Sequence, residues 1–194
     1  MVCVRDEELA KRIALMRMHG MDRAAWDRYT SSRASWEYDI AECGYKFNLP
    51  DILAALGIEQ LKKARVFSEA RKAVAKKYDD AFSKLDFIEV PPDGEGNAWH
   101  LYLMRIKPDA LTISRDDFAK ELQSRGIGIS VHFIPLFHFT YWKKLYPEFR
   151  AEHFPNAQKR FASTISLPLW PGMTSDMTDS VIEAVLSIGA AHHA

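Results

Sequence analysis

Gly44-Tyr45-Lys46-Phe47-Asn48-Leu49-Pro50-Asp51-Ile52-Leu53-Ala54-Ala55-Leu56-Gly57-Ile58-Glu59-Gln60-Leu61 joins a polar, turn-prone approach to a helix start with almost no polar face. Residues 52–58 are all apolar or glycine, so a helix begun at Pro50 is apolar all round its first two turns and is expected to be buried on every side. Pro50 suits that first turn, where its missing N–H is one of the donors that lack a helical partner anyway. The Asn48 side chain stands close enough to cap those donors or to reach an anion there.

Downstream, Phe67, Ala70, Val74, Tyr78, Ala81 and Leu85 recur at spacings of three or four with Lys and Arg between them, which predicts one long amphipathic helix, kinked near Gly57 or Ala64. The basic residues 62–77 mark its solvent face. Upstream, residues 1–4 read as a short buried strand, and Asp6 as the N-cap of a helix to about Met18 that Gly20 stops. Residues 21–43 have no clear period. Trp26, Tyr29, Trp36 and Tyr38 there read as the packing of an ordered loop, with stacking on a sugar or nucleotide as the alternative.

Past the long helix, residues 87–90 and 99–106 read as strands around an exposed loop at 93–97. Ser114 with Asp117 resembles a capping box for a helix to about Arg125, with Gly126 as its stop. Residues 129–134 are expected as another strand and 135–154 as an aromatic-rich loop with one helical turn. A helix over 156–164, an extended piece at 166–169 and a final helix over about 175–188 complete the chain. The fold class is α+β.

Composition narrows the function classes. The 194 residues are 47% apolar and 27% charged, with zero formal net charge, so no global basic field recruits nucleic acid or anionic membrane. No apolar run approaches a bilayer span and no signal peptide is visible, so the expected location is the cytoplasm. Cys3 and Cys43 are expected to be buried and reduced. His132, His138 and His153 make a poor metal trio, because loop spacing alone does not impose coordination geometry. The expected metal content is none.

The opening stretch is similar to the signature of the DegT family of pyridoxal-phosphate (PLP) nucleotide-sugar aminotransferases. His19-Gly20, Trp99-His100-Leu101-Tyr102, Arg125-Gly126-Ile127-Gly128 with Val131-His132-Phe133, and Ser166-Leu167-Pro168-Leu169 resemble later family landmarks in the same order. The pattern most resembles the family's lipid A branch, which makes 4-amino-4-deoxy-arabinose, although Phe47 and Pro50 stand where a Tyr and a Thr are usual. The resemblance implies the C-terminal small domain of a fold-type I PLP-dependent transferase: a long helix plus a small antiparallel sheet covered by helices. Residues 1–64 would then be a remnant of the large domain, and residues 65–194 the C-terminal domain.

It further implies a glutamate-dependent amination of a keto nucleotide-sugar with PLP as cofactor, in a homodimer or with a large-domain partner. None of the lysines stands in the context of the family's Schiff-base lysine, so the chain is expected to be inactive alone. A non-catalytic interaction module or one half of a split enzyme is the alternative. By resemblance Asn48 reaches a PLP phosphate, where the residue-level reading leaves a helix cap open. Lys46 is a phosphate or substrate-diphosphate cation or a solvated surface group. His132 faces the substrate or is a packed strand residue.

Overall fold

Asp6 begins the first helix as expected: its carboxylate accepts a hydrogen bond from the Leu9 N–H at 2.8 Å, and α1 runs Glu7–Met16. Glu7 and Glu8 place negative charge at the positive end of that helix. The structure is a computed structural model and describes residues 2–22, 38–94 and 96–194. Trp26, Tyr29 and Trp36, the anchors of the expected aromatic loop, lie outside the described residues. The chain divides into two compact units, Met1–Lys62 and Lys63–Ala194.

In the first unit, residues 45–47 run back along the end of α1. Tyr45 N–H donates to the Met16 carbonyl (2.7 Å), His19 N–H to Tyr45 (2.8 Å) and Phe47 N–H to Arg17 (2.8 Å). The crossing is so tight that a Cβ on Gly20 would strike the Glu42 backbone, and one on Gly44 would strike the backbone of Gly20 and His19. Gly20 also has φ +74°, but it is not the residue that stops the helix: α1 already ends at Met16 with Arg17 as its C-cap, and His19 at φ +60° is the first left-handed residue after it. Residues 2–4 form no strand and are exposed; no described segment pairs with them. Cys3 and Cys43 are likewise free and exposed, not buried.

The long helix α2, Asp51–Phe82, passes Gly57 and Ala64 without interruption. Its first turns are not buried. Ile52 is 84% exposed, and Leu53, Leu56, Ile58 and Leu61 are exposed with it. The apolar pattern identifies a surface that needs cover; it does not say that the same chain supplies the cover. The C-terminal part of α2 is different: Val74, Ala75, Tyr78 and Phe82 are buried.

The second unit is built on a three-stranded antiparallel sheet of order β1-β2-β3, with β1 at Ile88–Glu89, β2 at Tyr102–Ile106 and β3 at Thr164–Leu167. Ile88 faces Ile106, and Tyr102, Leu103, Met104 and Arg105 face Leu167, Ser166, Ile165 and Thr164. Tyr102, Met104 and Ile106 alternate inward along β2, whereas β3 is buried throughout. The expected strand from Trp99 starts later, because Trp99 is itself in the left-handed region at φ +47°. Its ring is buried and stacks on Tyr102 at 5.9 Å.

Helices α3 (Arg115–Ser124), α4 (Thr140–Leu145), α5 (Pro155–Ser163) and α6 (Ser175–Ala191) follow in order. The Ser114 hydroxyl accepts from Asp117 N–H and donates to its carboxylate, and Gly126 at φ +79° ends α3. Helix α3 packs on α6 and β3, and α5 on β2. Phe118, Leu122, Val185 and Ile188 thereby close the core over Tyr78, Phe82, Met104 and Ile165.

Residues 129–134 make only one bridge, Ser130 to Ser166, in place of the expected strand. Two features of β3 explain this. In that register the next residue pair outward would use Pro168, which has no N–H. The pair on the other side would use Thr164, whose N–H donates to Arg160 and whose carbonyl accepts from Arg115 at 2.9 Å.

Candidate functional site

Lys46 and Asn48 sit together on the strap that leads into α2. The Lys46 backbone bridges to Met18, and its exposed ammonium lies 3.1 Å from the Met18 sulfur. It forms no ion pair among the described residues. Asn48 is half-buried, and its amide makes no hydrogen bond among the described residues, so the helix-cap alternative is not realised. Helix α2 begins with the Ala54 N–H donating to the Pro50 carbonyl at 2.9 Å. Tyr45 and Phe47 project from the same side of the strap and stack at 5.1 Å. An unused amide and an unneutralised ammonium just before a helix N-terminus are the donors that an oxyanion takes. They fit the phosphate end of PLP; a partner for its ring nitrogen and a lysine for its carbonyl carbon are not among them.

His132 belongs to the second unit. Its Nδ1 lies 2.7 Å from the Ser166 hydroxyl, the ring is half-buried, and the next residue, Phe133, is 75% exposed. The chain then forms a short 3-10 turn, Leu136–His138, before α4. Between these elements and α5 is a cavity of about 420 Å³ lined by Leu136, Phe137, Trp142, Tyr146, Phe149 and Phe154 among others, with no polar atom on its wall. Phe137 stacks on Phe154 at 5.4 Å and Tyr146 on Phe149 at 5.2 Å. The abundance of aromatic residues in 135–154 was the available sign of it; spacing alone could not show that their rings enclose a space.

His138 is used structurally: its Nε2 is 2.7 Å from Gln158 Oε1, and the ring lies against Phe137 and Phe161. No metal-binding group of His, Cys, Asp and Glu is found among the described residues. No helix among them is long and apolar enough to cross a membrane.

One polar network, with both of its phenols buried, joins Tyr78, Asp79, Tyr102 and Pro168. Tyr102 donates to Asp79 at 2.7 Å, and Tyr78 donates to the Pro168 carbonyl at 2.9 Å. Burial pushes both phenols up, and for Tyr102 the Asp79 carboxylate adds to the effect. Burial also holds Asp79 above the usual carboxylate range, against the lowering effect of the Tyr102 hydroxyl. These groups tie α2 to β2 and to the end of β3.

A long helix leading into a small antiparallel sheet under helices is the α+β C-terminal small domain of a fold-type I PLP-dependent transferase, and solved structures bear this out. Spr1654 from Streptococcus pneumoniae, assigned as a sugar aminotransferase, superposes in its PMP form with a TM-score of 0.84 at 30% identity, over 97% of this chain and 46% of that one. It has also been solved in a PLP form.

The profile of the DegT/DnrJ/EryC1/StrS aminotransferase family matches residues 1–186, and the chain belongs to that family. Among curated relatives, the spore coat polysaccharide biosynthesis protein SpsC of Bacillus subtilis is 39% identical over 191 residues, which are 97% of this chain and 49% of SpsC. The uncharacterised protein MJ1066 of Methanocaldococcus jannaschii is 43% identical over 190 residues, again 97% and 49%. The chain spans about half the length of the curated relatives it matches.

Proposed function

We propose that these residues form the C-terminal portion of a PLP-dependent sugar aminotransferase that aminates a keto nucleotide-sugar with glutamate as amino donor, in the cytoplasm. The observation that carries the site reading is the pair of donors on the strap before α2, the Asn48 amide with no hydrogen bond and the Lys46 ammonium with no ion pair among the described residues. When bound, PLP supplies the electron sink through which an amino group leaves one substrate and reaches the other. Asn48 donates from its amide to the cofactor phosphate. Lys46 places positive charge beside that phosphate or the substrate diphosphate. His132 faces the sugar. Residues 1–64 act as a piece of the large domain and 65–194 as the C-terminal domain.

Residues 1–194 alone do not hold PLP covalently and do not transaminate in this reading; a large-domain segment with the catalytic lysine completes the site. Incubation with PLP, borohydride reduction and intact-mass analysis test that, and one stoichiometric adduct with glutamate turnover would refute it. The exposed apolar face at Ile52, Leu56 and Leu61 favours a cover from a second copy or from a large-domain partner. The same face supports a second reading, a non-catalytic interaction module that docks through it.

The deciding experiment mixes or fuses the chain with the large domain of a relative and assays a keto nucleotide-sugar with glutamate. Asn48→Ala then weakens PLP retention by about 1.5–3 kcal/mol, the worth of one hydrogen bond to a charged group. His132→Ala raises KM for the sugar and leaves cofactor retention alone. Wild-type behaviour of both variants in an active reconstituted enzyme overturns the site assignment.

A further inference from the structure

Ser166 is 4% exposed, in the middle of β3. Its backbone N–H donates to the Ser130 carbonyl at 2.8 Å and its carbonyl accepts from the Ser130 N–H at 3.2 Å, so both main-chain groups are occupied. That reciprocal pair clamps the chain two residues before His132. The Ser166 hydroxyl then meets His132 Nδ1 at 2.7 Å and makes no other hydrogen bond among the described residues.

A hydroxyl brings one proton and two lone pairs, and a neutral imidazole brings one N–H and one bare nitrogen. Were Nδ1 to carry the ring proton and donate to Ser166, the buried hydroxyl proton would have no acceptor. If the hydroxyl donates, its proton is satisfied and only acceptor capacity is left over, which buried groups tolerate better. The ring proton then sits on Nε2, which has no partner of its own among the described residues.

We propose that Ser166 is a positioning residue for His132: its buried hydroxyl donates to Nδ1, fixes the neutral ring in the Nε2–H form and turns that N–H outward as a hydrogen-bond donor to an oxygen of the sugar substrate. The last clause rests on the substrate-facing role of His132 proposed above. In this arrangement His132 binds its ligand by donating and is not the resting acceptor of a substrate proton, since the nitrogen free to accept one is engaged by Ser166.

The test is nitrogen NMR on the chain itself, labelled at histidine and recorded at alkaline pH where the imidazoles are neutral. Wild-type His132 is expected to show a pyridine-like Nδ1 and a pyrrole-like Nε2. Ser166→Ala, nearly isosteric, shifts both nitrogens toward the averaged values of exchanging tautomers, and Ser166→Thr, which restores a hydroxyl, returns them to wild type. A wild-type ring protonated on Nδ1 overturns the proposal, as do nitrogen shifts that Ser166→Ala leaves unchanged. The wild-type spectrum decides the donor direction even if the alanine variant folds poorly. None of these readouts needs an active enzyme, so failure here is distinct from failure of the His132→Ala assay.

Discussion

At one end of α2 Ile52 is 84% exposed; at the other Phe82 is fully buried. Both residues are large and apolar, and both sit in the same helical geometry. Apart from Gly20, none of the described residues 2–62 is buried, whereas the second unit has a continuous core from Val74 to Ile188. The difference lies in what the chain offers later. Residues 74–82 are followed by strands and helices that come back over them, and among the described residues no element buries 52–61. Apolar composition therefore marks surface that must be covered, and the origin of the cover is a separate question.

That contrast can be broken by mutation. The largest effect is expected for Phe82→Ala, which empties a fully enclosed site and costs about 3–5 kcal/mol in urea or guanidinium unfolding. A loss below about 1 kcal/mol would mean that the second unit is not the tight core described. Next comes Tyr102→Phe, which deletes the hydrogen bond to Asp79 and costs about 1.5–3 kcal/mol for a bond to a charged group.

That variant should also respond to pH. Asp79 is raised in the folded state, so the stability it contributes is present below its unfolded value of 3.8 and is lost as pH rises through the folded value. The Tyr102 hydroxyl lowers the folded value, so its removal steepens the loss from acidic to neutral pH. Parallel pH–stability curves for wild type and Tyr102→Phe would contradict this.

Gly189→Ala sets a new methyl into the ring of Phe87 and should cost about 1–3 kcal/mol by overpacking. Leu186→Ala, on the exposed side of the same helix, is the control. A smaller, pH-confined effect is expected for His193→Ala. His193 is raised above 6.5 by the Asp86 carboxylate, 2.9 Å away, and Asp86 is lowered below 3.8 by His193. The ion pair stabilises fully between 3.8 and 6.5; it is lost above as His193 deprotonates and below as Asp86 protonates. Thermal melts should separate the variant from wild type within that window and coincide at alkaline pH.

Leu56→Ala should lie within about 0.5 kcal/mol of wild type for the chain alone, because nothing there is uncovered by the change. The same substitution should lower binding of a hydrophobic dye, and it should become costly once a large-domain partner or second copy covers the face. Light scattering that shows a monodisperse monomer without dye binding would remove the reason to expect such cover.

Local rules read the elements well because their causes are local. The caps at Asp6 and Ser114, the glycine stop at Gly126 and the inward spacing of Val74 and Tyr78 each follow from residues within one or two turns. The strand at 129–134 failed for a reason outside its own residues: the partner edge at Thr164 and Pro168 had no N–H left to donate. Likewise Ser166 was visible only as part of a motif until the fold brought its hydroxyl to His132, across a sequence separation of 34 residues.

By itself the sequence determined most of the helices to within a few residues, the α+β class, the family and the identity of Asn48, Lys46 and His132 as residues to watch, since these depend on short-range pattern and residue chemistry. The tertiary structure alone decided which apolar face is covered, that the Asn48 amide makes no hydrogen bond among the described residues, that Cys3 and Cys43 are exposed, and that Ser166 addresses His132. Those outcomes depend on partners distant in the chain, and only folding determines which groups meet and which stay unpaired.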